Sequence, residues 1–189
     1  VPPFLMGIFI LNTILNQWRK RETFITELSQ KDDLTGIYNR RVLTQHLLEL
    51  DQDPQAVSSY AILLLDLDHF KSVNDTYGHM IGDQVLIQSA HLLKQHLRPD
   101  DLLGRYGGEE FLIVIQNSHD YEVYRIAERC RQALENFRHL ASVGVELQVT
   151  CSIGIAFSHD GQSALNVLNE ADLALYQAKS AGRNRVIFA

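Results

Sequence analysis

Only two cysteines, Cys130 and Cys151, occur in the 189 residues of the chain. No CxxC pair or Cys/His cluster accompanies them, which excludes a zinc site of ordinary spacing and a disulfide-stapled scaffold. Each falls on the apolar register of its own segment, so both are expected as reduced thiols in a core. Basic charge is not in excess either: 17 Lys and Arg stand against 23 Asp and Glu, for a net charge of −6. A nucleic-acid binder would show a basic surplus or stripe. Nucleotide enzymes stay open, because a metal ion can supply the positive charge that phosphates need. There is no GxxxxGK[ST] segment, which excludes a P-loop GTPase. No unbroken apolar run reaches the about 20 residues of a membrane span. Internal repeats and low-complexity tracts are lacking as well.

What is present is the composition of a folded domain, 46% hydrophobic and 21% charged. A chain of this length buries most of its apolar surface without staples. Its first residue is Val, so it is expected to be part of a longer protein whose sensor would precede Val1. Phe4 to Leu15 is almost wholly apolar and is followed at once by Arg19, Lys20 and Arg21. That order suits the inner end of a membrane helix with a cytoplasmic flank. An amphipathic helix packed on a partner is the other reading. Leu11, Ile14, Trp18, Arg21, Ile25 and Leu28 are spaced 3, 4, 3, 4, 3, the heptad seam of a parallel coiled coil. Residues 1–32 are therefore expected to form a membrane-proximal helix and coiled-coil stalk that joins two subunits.

From Asp33 the pattern is α/β. Tyr60 to Leu67 is a continuous apolar run, as in a central strand covered on both faces. Leu102 to Tyr106 and Phe111 to Ile115 read as strands around Gly107-Gly108, a two-residue hairpin signal with positive φ at both glycines. Leu147 to Phe157 alternates apolar and other residues, which predicts one half-buried strand. Helices are expected over Arg40–Leu50, Val85–Leu97, Tyr121–Phe137 and Ala164–Ser180, the last stopped near Gly182, with a short strand at Val186–Phe188.

This layout collects carboxylates. Asp66 and Asp68 fall at the end of the central strand, Glu109 and Glu110 at the hairpin tip. Oxygen-rich clusters of this kind suit Mg²⁺, which keeps several waters and is completed by substrate phosphates. Gly107 and Gly108 would let a ligand approach the backbone closely. Asp83 can accept from the N1–H and exocyclic amine of guanine, a donor pair that adenine lacks. It also suits an N-cap on the Val85 helix. Asn74 both donates and accepts and so matches the rest of the guanine edge. Lys179 and Arg183 are four apart and would share one face if the helix persisted; cations at a helix C-terminus are also common without any such role.

The run Arg105-Tyr106-Gly107-Gly108-Glu109-Glu110-Phe111 resembles the signature of GGDEF domains in its GGEEF form. Asp33 to Arg41 resembles the opening motif of that family, and Asp66 to Asp75 its metal and base-binding segment. Tyr77-Gly78-His79 and Gly82-Asp83 continue it, and Lys179 with Gly182-Arg183-Asn184-Arg185 resembles its closing motif. The likeness covers residues 33–189. It implies an α/β (α+β) fold: a central mixed sheet flanked by helices, related to nucleotidyl cyclases and polymerase palm domains. It also implies a diguanylate cyclase that condenses two GTP into cyclic di-GMP and two pyrophosphates. Carried onto this sequence, Asp66, the Leu67 carbonyl and Glu109 would hold Mg²⁺, with Mn²⁺ able to replace it. Glu109 would also accept the 3′-hydroxyl proton, with Glu110 sharing metal or proton duties. Asn74, His79 and Asp83 would bind the base, and Lys71, Lys179 and Arg183 would neutralise phosphates.

Arg98-Pro99-Asp100-Asp101 matches the RxxD inhibitory site of the family at its usual distance before the glycines. Cyclic di-GMP bound by Arg98 and Asp101, with Arg129 from a neighbour, would cross-link domains in a non-productive pose. A charged loop capping the preceding helix is the other reading. The two-fold symmetry of the product implies a homodimer. The implied location is the cytoplasmic face of a bacterial inner membrane. Three other functions fit parts of the sequence. A catalytically silent GTP or cyclic di-GMP sensor would normally lose the signature, and a cyclase for adenine dinucleotides conflicts with Asp83. A purely structural dimerisation module leaves the acidic cluster unexplained.

Overall fold

The computed structural model describes residues 30–52, 59–140, 144, 146–159 and 161–189. The chain divides between Gln30 and Lys31, and the unit from Lys31 to Ala189 is the one described below. The apolar run, its basic flank and the heptad positions Leu11 to Leu28 lie outside the described residues. No helix among the described residues is long and apolar enough to cross a membrane.

Helix α1 (Arg40–Gln52) starts where the Asn39 Oδ1 accepts the Val42 N–H at 3.1 Å, an N-cap bond, and it buries Leu43 and Leu47. Strand β1 (Tyr60–Leu67) is buried along its whole length. Its two antiparallel partners are β3 (Glu110–Gln116) and β6 (Cys151–Phe157). The sheet is completed by β2 (Leu102–Arg105) beyond β3 and by β7 (Val186–Phe188) beyond β6, in the order β2-β3-β1-β6-β7. Only β6 and β7 run parallel, so the sheet is mixed.

Two cores lie on its two faces. Leu63, Leu65 and Ile113 point to one face, where they meet α3 (His79–Gln95) and α4 (Asp120–Asn136). Ile62, Leu64 and Leu112 point to the other, where they meet α1 and α5 (Ala164–Ser180). The mixed sheet flanked by helices is the fold expected from the sequence. Cys130 and Cys151 are both buried free thiols, as their register implied. Burial pushes the Cys130 thiol up to about 12, so it stays protonated at neutral pH.

Four local expectations need correction. The helix expected from Val85 begins at His79, because Gly78 (φ 84°) turns the chain there. Asp83 is therefore inside α3 and caps nothing. A further helix, α2 (Phe70–Tyr77), leaves β1 through His69 in a left-handed conformation (φ 57°). The segment Leu147 to Phe157 is not one strand: β5 (Glu146–Leu147) pairs with β4 (His139–Leu140) in a separate ribbon, and only Cys151–Phe157 joins the main sheet. There it is buried on both faces. Its non-bulky positions, Ser152, Gly154 and Ala156, are buried, and at Gly154 the α5 backbone lies directly against the strand, so the alternation does not mark a face open to water. Finally, Gly107 and Gly108 do not have positive φ, so the turn is not the two-residue type. It is a wider loop closed by the Tyr106 and Gly107 N–H groups on the Glu110 carbonyl, at 2.8 and 3.3 Å.

His139 gives a stability prediction. Its ring is 1% exposed, stands edge-on to Phe137 at 4.8 Å, and has neither nitrogen hydrogen-bonded among the described residues. Burial lowers its pKa from 6.5 to about 4. Between those values the unfolded chain binds a proton that the native ring refuses, so stability falls as pH drops from 6.5 and levels off near 4. The total loss is at most about 3 kcal/mol. His139→Leu should flatten this limb of the urea midpoint against pH. Equal slopes for the two proteins would mean that the ring titrates normally.

Candidate active site

The end of β1 gathers the acids. Asp66 is 7% exposed and lies opposite Glu110 in the β1–β3 register. The Leu67 N–H donates to the Glu109 carbonyl at 3.3 Å, which ties the strand end to the signature loop. Burial raises the Asp66 carboxyl above its usual range; Asp68 adds to this, while Lys179 and Arg183 oppose it. Glu109 is also raised, by burial first and then by repulsion from Asp66 and Glu110. Lys179 Nζ is 2.8 Å from Asp66 Oδ2. Two crowded carboxylates with one lysine, paired to Asp66, are short of positive charge. With the oxygen donors of Asp66, Glu109 and the strand-end backbone, this is chemistry that suits a hard divalent cation. The residues present therefore fit Mg²⁺ or Mn²⁺.

The signature loop is held from outside the sheet. Arg105 donates through Nε and Nη2 to the Gly108 carbonyl at 3.1 and 2.8 Å, and through Nη1 to Asp32 at 3.2 Å. Asp32 in turn accepts the Thr35 N–H and hydroxyl at 2.9 and 2.6 Å. Arg40 lies 4.7 Å over the Tyr106 ring. Neither glycine is needed for its φ: a Cβ on Gly107 would meet the far end of the Glu110 side chain, which can swing away, and Gly108 has nothing within 4 Å of where a Cβ would be.

The remaining expected residues fall into three places. Lys71 is exposed on the first turn of α2. Asn74 is half-buried near its end, and its Oδ1 fills the space that a side chain on Gly82 would need. This puts Asn74 against the turn of α3 that carries Asp83, which is exposed, and His79 is exposed at the start of the same helix. Lys179 is in the last turn of α5, but the helix stops at Ser180 and Arg183 follows in a left-handed conformation (φ 62°). Lys179 and Arg183 therefore do not share a helix face. Both still act electrostatically on Asp66, and Lys179 does so in direct contact.

Asp68, grouped with the metal acids by sequence, has another task. It is 5% exposed and accepts the Thr150 and Ser152 hydroxyls, each at 2.7 Å, and the Asn184 N–H at 3.0 Å.

Arg98, Asp101 and Arg129 come together at the opposite end of α3. The Arg98 N–H donates to Asp101 Oδ2 at 2.8 Å, and its guanidinium reaches Ser118 and Glu122 at 3.1 and 3.3 Å. Arg129 donates to the His96 carbonyl through Nε at 3.1 Å and again through Nη2. Burial raises the Asp101 pKa, and the charges of Arg98 and Arg129 only partly oppose it. Within its own chain Arg129 is close enough to Asp101 to act on it electrostatically. Lys31, Lys94 and Leu97 help to line a cavity of about 410 Å³ here.

The family described as "Diguanylate cyclase, GGDEF domain" matches residues 29–185. The chain belongs to the GGDEF family. This GGDEF domain is 36% identical to diguanylate cyclase A of Treponema denticola, over 86% of this chain and 45% of that protein. It is 41% identical to the response regulator PleD of Caulobacter vibrioides, over 85% of this chain and 36% of that protein. The chain thus spans less than half of each of these relatives. Its structure is similar to the GGDEF domain of DgcB from Caulobacter crescentus, solved in complex with c-di-GMP, with a TM-score of 0.81 and 31% identity over 85% of this chain and 95% of that one. Two members of the site are not evident in the sequence: Asp32 falls in the expected stalk segment, and Arg105 stands in the signature with no role of its own. An acid three residues before Thr35 was the available signal, because Asp-x-x-Thr is a turn-forming spacing.

Proposed function

We propose that this GGDEF domain is a diguanylate cyclase that joins two GTP molecules into cyclic di-GMP and releases two pyrophosphates. The observation that carries the reading is the buried Asp66 with Lys179 against it at 2.8 Å, at a strand end that the Leu67 N–H ties to the Glu109 carbonyl of the signature loop at 3.3 Å. Asp66, Glu109 and the Leu67 carbonyl would hold Mg²⁺ or Mn²⁺, which would neutralise phosphate charge and lower the pKa of the attacking hydroxyl. Asn74 and Asp83 bind the guanine edge, with His79 at its rim. Lys71, Lys179 and Arg183 neutralise the triphosphate. Glu109 accepts the proton as the 3′-oxygen of one GTP bonds to the α-phosphorus of the other. Pyrophosphate leaves with the electrons of the broken bond. The second half repeats this with the roles exchanged.

One domain holds one GTP, so ring closure takes two domains face to face, and a homodimer matches the symmetry of the product. The heptads before Asp33 would supply the partner at high local concentration, on a tether at the cytoplasmic face of an inner membrane. Cyclic di-GMP at Arg98, Asp101 and Arg129 would restrain the enzyme.

The test is to incubate the purified chain with GTP and Mg²⁺ and to separate the products by chromatography. Cyclic di-GMP and pyrophosphate are expected, with a rate per domain that rises with protein concentration and no turnover of ATP. GTP bound but never turned over would sink the cyclase and favour a sensor.

A further inference from the structure

The loop that follows α5 is the most unusual stretch of backbone in the domain. Gly182, Arg183 and Asn184 have φ of 110°, 62° and 46° in succession. Two adjacent non-glycine residues in left-handed conformations are costly unless their surroundings hold them. The surroundings here are specific. Asn184 uses its whole amide: Oδ1 accepts from Arg131 Nη1 at 2.6 Å, and Nδ2 donates to Glu135 Oε1 at 2.7 Å. Its N–H donates to Asp68. Arg131 is only 11% exposed and forks between Glu128, at 2.6 and 2.9 Å, and Glu135, at 2.9 Å. The hydrogen bond from Asn184, followed by that from Arg131, holds the Glu135 carboxyl below its usual range. On the far side Asp68 is fastened to the hydroxyls of Thr150 and Ser152.

The loop is thus gripped between α4 and the end of β1. Its neighbours along the chain are Lys179 and Arg183, the two cations that act on Asp66. A helix that simply continued past Ser180 would carry Arg183 along its own axis. The left-handed turn ends the helix instead, with the Arg183 N–H donating to the Ala178 carbonyl at 3.0 Å.

We propose that Asn184 is a positioning residue: locked by Arg131, Glu135 and Asp68, it holds the left-handed loop that aims Arg183, together with Lys179, at the triphosphate of the substrate. This rests on the proposed cyclase site. Asp68 is then an anchor of the phosphate-binding loop and no ligand of a metal. Arg131 acts at one remove, by orienting the Asn184 amide.

Asn184→Gly separates the clamp from the backbone. Glycine adopts the left-handed conformation without penalty, so the fold survives while the side-chain bonds are lost. The probe is a GTP analogue with a methylene bridge between the α and β phosphorus atoms, titrated by calorimetry with Mg²⁺ into the full chain. Asn184→Gly should bind it roughly tenfold more weakly, as when a charge-assisted contact is misplaced. Arg183→Ala should do the same, and the double variant should be no worse than Arg183→Ala alone. Equal affinity for Asn184→Gly and wild type overturns the proposal, and so do additive losses in the double variant. Arg131→Lys keeps the charge but not the fork, and it serves if the glycine variant fails to fold; its expected loss must likewise vanish in the Arg183→Ala background. Binding needs no turnover, so a wild type that binds the analogue but makes no cyclic di-GMP sinks the cyclase alone. One that binds no triphosphate overturns both.

Discussion

Replacing Glu109 by Gln should cut cyclic di-GMP formation by about a thousandfold or more while leaving the protein as stable as before, or more so. The two halves of this expectation have one cause. Glu109 is held near Asp66 and Glu110, partly buried, with its carboxyl pushed above its ordinary range by burial and by those two charges. Gln has the same shape and keeps a carbonyl acceptor, but it removes one negative charge from a crowded group. The folded state loses a repulsion, so the thermal midpoint should not fall. On the proposed mechanism the reaction would lose a group used twice, as a donor to the divalent cation and as the acceptor of the 3′-hydroxyl proton. Electrostatic groups of this kind are worth about a hundredfold to a thousandfold each in turnover, and proton acceptors about a hundredfold or more. An inactive variant is often dismissed as misfolded; here a stable inactive variant is required. Turnover within about tenfold of wild type would remove Glu109 from the chemistry. A large drop in melting temperature would show that its carboxylate serves the fold instead.

The contrast between Glu109 and Asp68 marks where sequence reading stopped. Both are acids within motifs that the sequence displays openly. Glu109 was legible because the glycines before it and the strand after it leave few places for it to go. Asp68 was not, because two residues beyond Asp66 at the same strand end its direction depends on what β6 and the residue just before it offer. Thr150 and Ser152 offer hydroxyls. The same limit explains the closing loop. Arg131 and Asn184 are 53 residues apart, and nothing in the spacing of either reveals that they meet. Helix α2 went unseen because it buries only Phe70, and one apolar anchor makes no period. The central strand and the four longer helices were legible for the opposite reason. Their apolar residues recur often enough to fix a face, and the two cores confirm those faces.

Gly154 has the largest expected effect on stability. It lies on β6, paired with Leu64 of β1 on one side and Ile187 of β7 on the other, and α5 crosses directly over it. A Cβ there would overlap the Ala171 carbonyl oxygen and the Leu175 nitrogen, and it would stand 2.9 Å from the Leu175 Cα. All three atoms belong to helix backbone, so no rotamer change gives relief. Shortening the side chain of Ala171 or Leu175 cannot give it either. The helix itself has to move, which opens the core formed by Val167, Ala171 and Leu175 against Ile62 and Leu64. Gly154→Ala should therefore cost about 3 kcal/mol or more, at or beyond the upper end of overpacking penalties. That corresponds to a fall of roughly 10 °C in melting temperature for a domain of this size. The displacement reaches the site as well, because α5 ends in the lysine that pairs with Asp66 at 2.8 Å. Whatever protein survives should have a raised KM for GTP before its kcat falls, since the end of α5 proposed to hold phosphate moves while Glu109, on the other side of β1, does not. A midpoint within about 2 °C of wild type would mean that α5 can slide over the sheet at little cost. The close approach of helix and strand would then be incidental to how Lys179 is placed.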